Sequence, residues 1–144
     1  MTSQFGYEVR LPIEMQWKKA ARGIDGRAYP WGLAYVSGYA NINETYDKVG
    51  PHYLKCTSPV GMYLQGKSPY GVLDMSGNVL EWCLNEYKYP QNTQLKGDNM
   101  RALRGGSWYH IRNLARVAHR FWSQPIVRTN HTGFRVVSGS VPHI

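Results

Sequence analysis

The residues with the widest chemical range gather near the C-terminal end of this chain. Three of its five histidines, His110, His119 and His131, lie between Arg104-Gly105-Gly106-Ser107-Trp108 and Gly133-Phe134-Arg135-Val136-Val137. Imidazoles bind zinc, but these separations match no short zinc-ligand motif, so a contact surface is the better expectation, with core packing a second role for His119. The two cysteines, Cys56 and Cys83, form no CxxC and no disulfide-dense framework. They read as two buried thiols, with one disulfide as the alternative.

These groups need elements to position them. The two flanking blocks read as strands, one with a Gly-Gly kink at Gly105-Gly106 and one closing on β-branched residues. The stretch from Tyr109 to His131 has neither period-2 alternation nor a turn cluster. An unpatterned segment inside a constant frame points to a scaffold displaying a binding surface. Within it Leu114, Val117 and Phe121 suggest a short helix that would place Arg116, Val117 and Ala118 on the scaffold side.

Upstream, Leu11–Arg22 is expected to be helical. Pro12 suits the first turn, and Ile13, Trp17, Ala20 and Ala21 make one apolar stripe. Glu14 stands near the positive end, Lys18, Lys19 and Arg22 near the negative end, and Gly23 at the left-handed cap. Residues 25–69 are rich in Gly, Tyr, Asn and Pro, with a turn at Asp25-Gly26 and a tight aromatic corner at Tyr29-Pro30-Trp31-Gly32. So much irregular chain in a compact domain implies function, a bound ion or a special fold.

The bulk numbers bound the rest. At 144 residues, one domain (1–144) with one core is expected. The net charge of +8 favours anionic partners in general. The basic residues are scattered, with no basic run and no nucleic-acid motif, so no nucleic-acid partner is expected. There is no basic-then-apolar signal peptide and no apolar run long enough to span a bilayer, so no membrane insertion is expected.

Six blocks in fixed order now carry a resemblance. They are Arg10-Leu-Pro-Ile-Glu-Met-Gln-Trp17 with Ala20-Ala-Arg-Gly23, Tyr29-Pro-Trp-Gly32, Pro59-Val-Gly61, Tyr70-Gly71 with Asp74-Met-Ser-Gly-Asn-Val-Leu-Glu-Trp82, Arg104-Gly-Gly-Ser-Trp108, and Gly133-Phe-Arg135. Together they resemble the formylglycine-generating enzyme, or sulfatase-modifying factor, family over nearly the whole chain. The resemblance implies an α+β fold of the C-type lectin type, with short twisted antiparallel strands, one or two helices and much irregular chain. It also implies a pared-down domain, because the family's large N-terminal portion has no counterpart here.

The family's sulfatase-oxidising members bind copper through two cysteines just after the Gly-Gly-Ser block. Here that stretch, Tyr109 to Arg120, has no cysteine. Without thiolates there is no soft-metal site, so no redox cofactor and no catalysis are expected. The related iron-dependent sulfoxide synthases need a second helical domain that this chain cannot hold. An enzyme or degenerate enzyme of the family is the alternative reading. The resemblance also implies a structural calcium ion, held by Asp74, Gly77, Val79 and Glu81 through carboxylates and carbonyls, which are the hard oxygens calcium prefers. The competing reading has Glu81 paired with an arginine and Asp74 capping a turn. The family's other calcium site starts near Asn41-Ile42 and puts its carboxylate position near His52, so no ion is expected there. Calcium-dependent sugar binding lacks its motif, because Gln124-Pro125 is followed by Ile126.

One branch of the family fits these departures: the variable proteins of diversity-generating retroelements in phages, archaeal viruses and prokaryotes. These elements rewrite template adenines, mostly in Asn codons, and cannot produce Lys, Glu, Gln, Met or Trp from them. Between Tyr109 and His131 there is no Lys, Glu or Met, and Trp122 and Gln124 are the exceptions. The resemblance therefore implies a displayed variable segment at 109–131 that binds a macromolecule, such as a protein or cell-surface receptor on a host. The expected location is a virion or cell surface, and the sequence sets no oligomeric state. The expected contact residues are Tyr109, His110, Ile111, Asn113, Leu114, His119, Phe121, Trp122, Ile126, Val127, Thr129, Asn130 and His131. Arg104, Ser107, Trp108, Arg135 and Glu81 are expected to be frame, and the core is expected to come from the aromatic blocks before residue 109.

Overall fold

The computed structural model describes residues 8–139. Its order is β1 (Val9–Arg10), α1 (Glu14–Arg22), β2 (Leu80–Glu86), β3 (Arg101–Arg104), β4 (Arg120–Ser123), β5 (Thr132–Gly133) and β6 (Val137–Ser138). Strands β4-β3-β2-β5 form one sheet, antiparallel except for the parallel β2–β5 pair. Strands β1 and β6 make a separate antiparallel ribbon. The rest is irregular apart from short 3-10 turns at Leu64–Gly66 and Arg112–Ala115. This is the α+β architecture, with short strands and one α-helix, that the resemblance implied.

The helix starts three residues later than its pattern suggested, with Ile13 extended at the N-cap position and Pro12 outside it. The Pro12 carbonyl accepts the Leu84 amide at 2.8 Å, tying the entry to β2. Asn85 Oδ1 accepts the Glu14 amide at 2.8 Å, doing the work of an N-cap from across the sheet. Gly23 has φ +70° as expected, but its ψ of −132° lies outside the left-handed helical well. The apolar stripe is buried: Ile13, Trp17 and Ala21 are 2%, 1% and 0% exposed. Trp17 and Ala21 pack with Met75, Cys83, Ala102 and Val117 as one core cluster. A second cluster joins Ala40, Ile42 and Ala115, with Trp31 and Tyr35 against it.

Four further expectations are corrected. The strand in the first frame block precedes the Gly-Gly pair, since φ values of +98° and +69° at Gly105 and Gly106 turn the chain out of the sheet. The Gly133–Val137 block contributes to two sheets, through β5 and then β6, with irregular chain between. No helix spans 114–121: the 3-10 turn ends at Ala115, the Val117 amide bonds to the Ala28 carbonyl, and Phe121 lies in β4. Val117 is fully buried, in keeping with the scaffold role expected for it, as is Ala115, whereas Arg116 and Ala118 are exposed. Finally, only Cys83 is buried; Cys56 lies on an exposed loop, and both are free thiols. Burial drives the Cys83 thiol pKa up, so it is held protonated.

Candidate ligand-binding face

The displayed segment is anchored through its backbone. Asn43 N donates to the His110 carbonyl at 2.9 Å, and the Tyr29 hydroxyl donates to that of Arg112 at 3.1 Å. Ser76 Oγ donates to the Ala115 carbonyl at 2.8 Å, and an Arg104 guanidinium N–H to that of Val117 at 2.9 Å. Trp108 Nε1 donates to the Asn130 carbonyl at 3.2 Å, and Leu80 N to that of His131 at 2.8 Å. In each bond the scaffold reads a peptide carbonyl, which every residue type offers. Glycine makes one approach possible: a Cβ on Gly106 would stand 2.9 Å from Ala115 Cα.

Besides the buried Ala115 and Val117, one charged side chain of the segment is structural. Arg120 donates to Glu14 at 2.6 and 2.8 Å and lies over the Tyr87 ring at 4.2 Å. Arg104 donates to the same carboxylate at 2.7 Å, and Asn85 Nδ2 does so at 2.9 Å. Burial of Glu14 raises its pKa, but the hydrogen bonds from Arg120 and Asn85 and the charges of Arg104 and Arg120 outweigh this, leaving it lowered. Sequence reading missed this role, because Glu14 and Arg120 lie far apart in the chain with no local pattern linking them.

The thirteen expected contact residues are all exposed or half-buried. Five of them converge on a ring cluster around the buried Trp108. Tyr109 lies 6.0 Å from Trp108 and 5.8 Å from both His110 and His131. His110 stands 5.9 Å from His131 and 4.9 Å from Phe121, which meets His119 at 4.5 Å. Tyr53, which no sequence signal marked, extends the cluster through Trp108 at 6.4 Å. Ser107 Oγ and His110 Nδ1 are 2.8 Å apart. Burial, followed by the charges of His131 and His119, lowers the His110 pKa to about 4, so this imidazole is neutral near pH 7. The face is aromatic at its centre, with His110 neutral there.

The remaining expected residues spread beyond that cluster. Trp122 follows Phe121 in β4 and points to the opposite side, against Tyr87 at 4.9 Å. Ile111, Asn113 and Leu114 belong to the 3-10 turn and its entry. Ile126, Val127 and Thr129 sit on the loop after β4, where Val127 and Thr129 line an open cleft with Trp82 and Phe134. Asn130 supplies Oδ1 at 3.2 Å from His131 Nδ1.

Of the expected calcium ligands, Asp74, Gly77 and Val79 lie on the irregular stretch before β2, where Asp74 and Gly77 take φ of +57° and +80°, and Glu81 lies in β2. Arg135 stands where a cation on Glu81 would stand, donating at 2.6 and 2.7 Å, and Trp17 Nε1 donates to Glu81 at 2.7 Å. Asp74 Oδ2 accepts the Gly61 amide at 2.7 Å. Both carboxylates thus have partners, and the guanidinium supplies the positive charge a calcium ion would bring. An ion on Glu81 would have to displace Arg135. Among the described residues, no group of three or more His, Cys, Asp or Glu could hold a metal.

Known proteins share this architecture. A model of the sulfatase-modifying factor enzyme 1-like domain matches residues 2–139. The inactive C-alpha-formylglycine-generating enzyme 2 of Bos taurus is 33% identical over 141 residues, covering 91% of this chain and 44% of the relative. Hercynine oxygenase of Mycolicibacterium smegmatis is 33% identical over 145 residues, covering 88% and 32%. The structure of Treponema denticola variable protein 1 superposes with a TM-score of 0.72 at 28% identity, covering 89% of this chain and 46% of that one. The chain spans less than half the length of each of these relatives.

Proposed function

This chain belongs to the sulfatase-modifying factor enzyme 1-like domain family, and we propose that it is a non-catalytic binding protein whose segment 109–131 is diversified to recognise a macromolecular ligand, such as a receptor on a host-cell surface. The observation that carries this reading is the backbone grip on the segment. Six scaffold donors hold it by its carbonyls, so side chains facing solvent can change without loosening the fold. Tyr109, His110, His119, Phe121 and His131 then form a preorganised centre, because rings packed on one another lose little rotamer freedom on binding. The likeness to a variable protein and to an inactive family member supports the same reading.

The test is genetic. A near-copy of the codons for 109–131 beside a reverse transcriptase, differing at template adenines, is expected. Its mismatches should fall on exposed positions such as Tyr109, Asn113 and Ile126 and spare Ala115, Val117 and Arg120. Mismatches at the buried positions as often as at the exposed ones would refute the reading, as would the absence of any copy.

The likeness to hercynine oxygenase favours a second reading, a family oxygenase. Oxygen uptake by the copper- or iron-loaded protein above that of the metal alone would establish it. The sequence offers no cysteine pair after the Gly-Gly-Ser block to hold copper.

A further inference from the structure

The fold sorts the chain's charge. Of nine acidic residues, Glu14, Glu44, Glu81 and Glu86 are buried, and only Glu8, Asp25 and Asp98 are exposed. Asp25 is already paired with Arg27 at 2.6 Å. Two of the buried carboxylates are held by neutral donors. Glu44 takes Tyr35, Ser37 and the Gly38 amide, and Glu86 takes Asn92 and Asn99. In contrast, nine lysines and arginines are exposed. The interior consumes the negative charge, and the net +8 appears almost wholly on the surface.

The displayed segment concentrates this asymmetry. It holds four arginines and no Asp or Glu. Arg120 is bound by Glu14, and Arg112 pairs with Asp47 at 3.1 Å. Arg116 and Arg128 are exposed, and among the described residues neither has an ion-pair partner. Arg116 lies one turn before His119, whose amide bonds to its carbonyl at 3.1 Å, and Arg128 lies three residues before His131. In the chain these two free guanidinium groups are interspersed among the residues of the aromatic cluster, each three positions before one of its histidines.

Resting on the binding-face reading above, we infer that the partner is an acidic protein surface: an apolar patch carrying carboxylates that meet Arg116 and Arg128. Aromatic rings interspersed in the chain with exposed arginine match the composition of protein–protein contact centres. A nucleic acid fits worse. Tyr109 in the cluster and Ile126 on the loop after β4, 59% and 83% exposed, call for an apolar complement that a phosphate backbone lacks. The aromatic rings pack on one another instead of standing apart as base-stacking platforms. Carboxylates pair with guanidinium in bidentate geometry, and opposed charge speeds and orients the encounter.

The experiment pans a displayed library of random peptides against the purified chain and against three variants: Tyr109→Ala, the double swap Arg116→Glu/Arg128→Glu, and the control Lys67→Glu. The expected result is enrichment of peptides combining Asp or Glu with apolar residues. The double swap should weaken them about tenfold, the scale of two exposed ion pairs turned repulsive, and select basic peptides instead. Lys67→Glu should change nothing. If enriched peptides vanish with Tyr109→Ala but carry no acidic excess, the acidic-partner inference falls while the binding face stands. If enrichment ignores Tyr109→Ala altogether, or no peptide is enriched, the binding-face reading falls with it. A single-stranded oligonucleotide that outcompetes the acidic peptides and loses affinity in the double swap would overturn the inference in favour of nucleic acid.

Discussion

Replacing Glu14 by Gln tests whether the scaffold's charged centre supports the displayed segment. The carboxylate is 6% exposed and serves Arg104, itself 5% exposed, and Arg120, whose side chain is about one-third exposed. Gln keeps the shape and one acceptor but removes the charge that both guanidinium groups face. Breaking a buried ion pair from one side costs about 3–5 kcal/mol. Water reaching Arg120 softens its share, so about 3 kcal/mol is the expected loss. For a domain of this size that lowers Tm by roughly 6–12 °C. Thermal melts followed by circular dichroism measure it. A cycle with Arg120→Met should show coupling of at least about 1 kcal/mol, because the two side chains share one network. The wild type should also carry an acid signature. The folded pKa of Glu14 is lowered. Its stabilisation is therefore present above the unfolded value near 4.5 and is lost as pH falls through the lower folded value. Glu14→Gln should flatten that loss. A melt within about 2 °C of wild type, or additive effects in the cycle, would refute the proposed link between Glu14 and β4.

Other expectations follow from the same geometry. Chelation with EDTA, or addition of calcium, should leave Tm unchanged, because Arg135 already neutralises Glu81; a rise of several degrees with calcium would show that Arg135 yields to the ion. His110 has a folded pKa of about 4 against about 6.5 unfolded. Its share of stability is present above pH 6.5 and declines as pH falls toward 4, and His110→Asn should remove that slope from urea titrations. In a native thiol titration Cys56 should react while Cys83 stays protected until unfolding; two fast thiols would contradict the burial of Cys83.

The legible parts of the sequence were those with a local period or an ordered set of blocks. Ile13, Trp17 and Ala21 gave the buried helix face directly, and the ordered Gly- and Trp-containing blocks gave the fold. The helix start was misplaced because its cap comes from Asn85 on β2, a contact that spacing does not encode. The apparent period of Leu114, Val117 and Phe121 arose from three unrelated environments: a 3-10 turn, the core and an edge strand. The split of the contact residues between the two sides of β4 was also hidden, since it depends on which segment residues enter the ladder at all.

A displayed surface and a stable fold place opposed demands on one segment, and the structure separates them by atom type. Stability is drawn from its peptide carbonyls, from Ala115 and Val117 in the core, and from Arg120 on Glu14. On the proposed reading, recognition is left to the exposed side chains. The cost of changing Val117 is then of a different kind from the cost of changing Ile126. Val117→Ala removes two buried methyl groups from a packed cluster and should cost about 1–3 kcal/mol. Ile126→Ala, at a side chain 83% exposed, should stay within about 0.5 kcal/mol. If urea unfolding gave the two substitutions equal costs, the segment would not be divided between core and display, and diversification of its exposed positions would carry a fold penalty at every step.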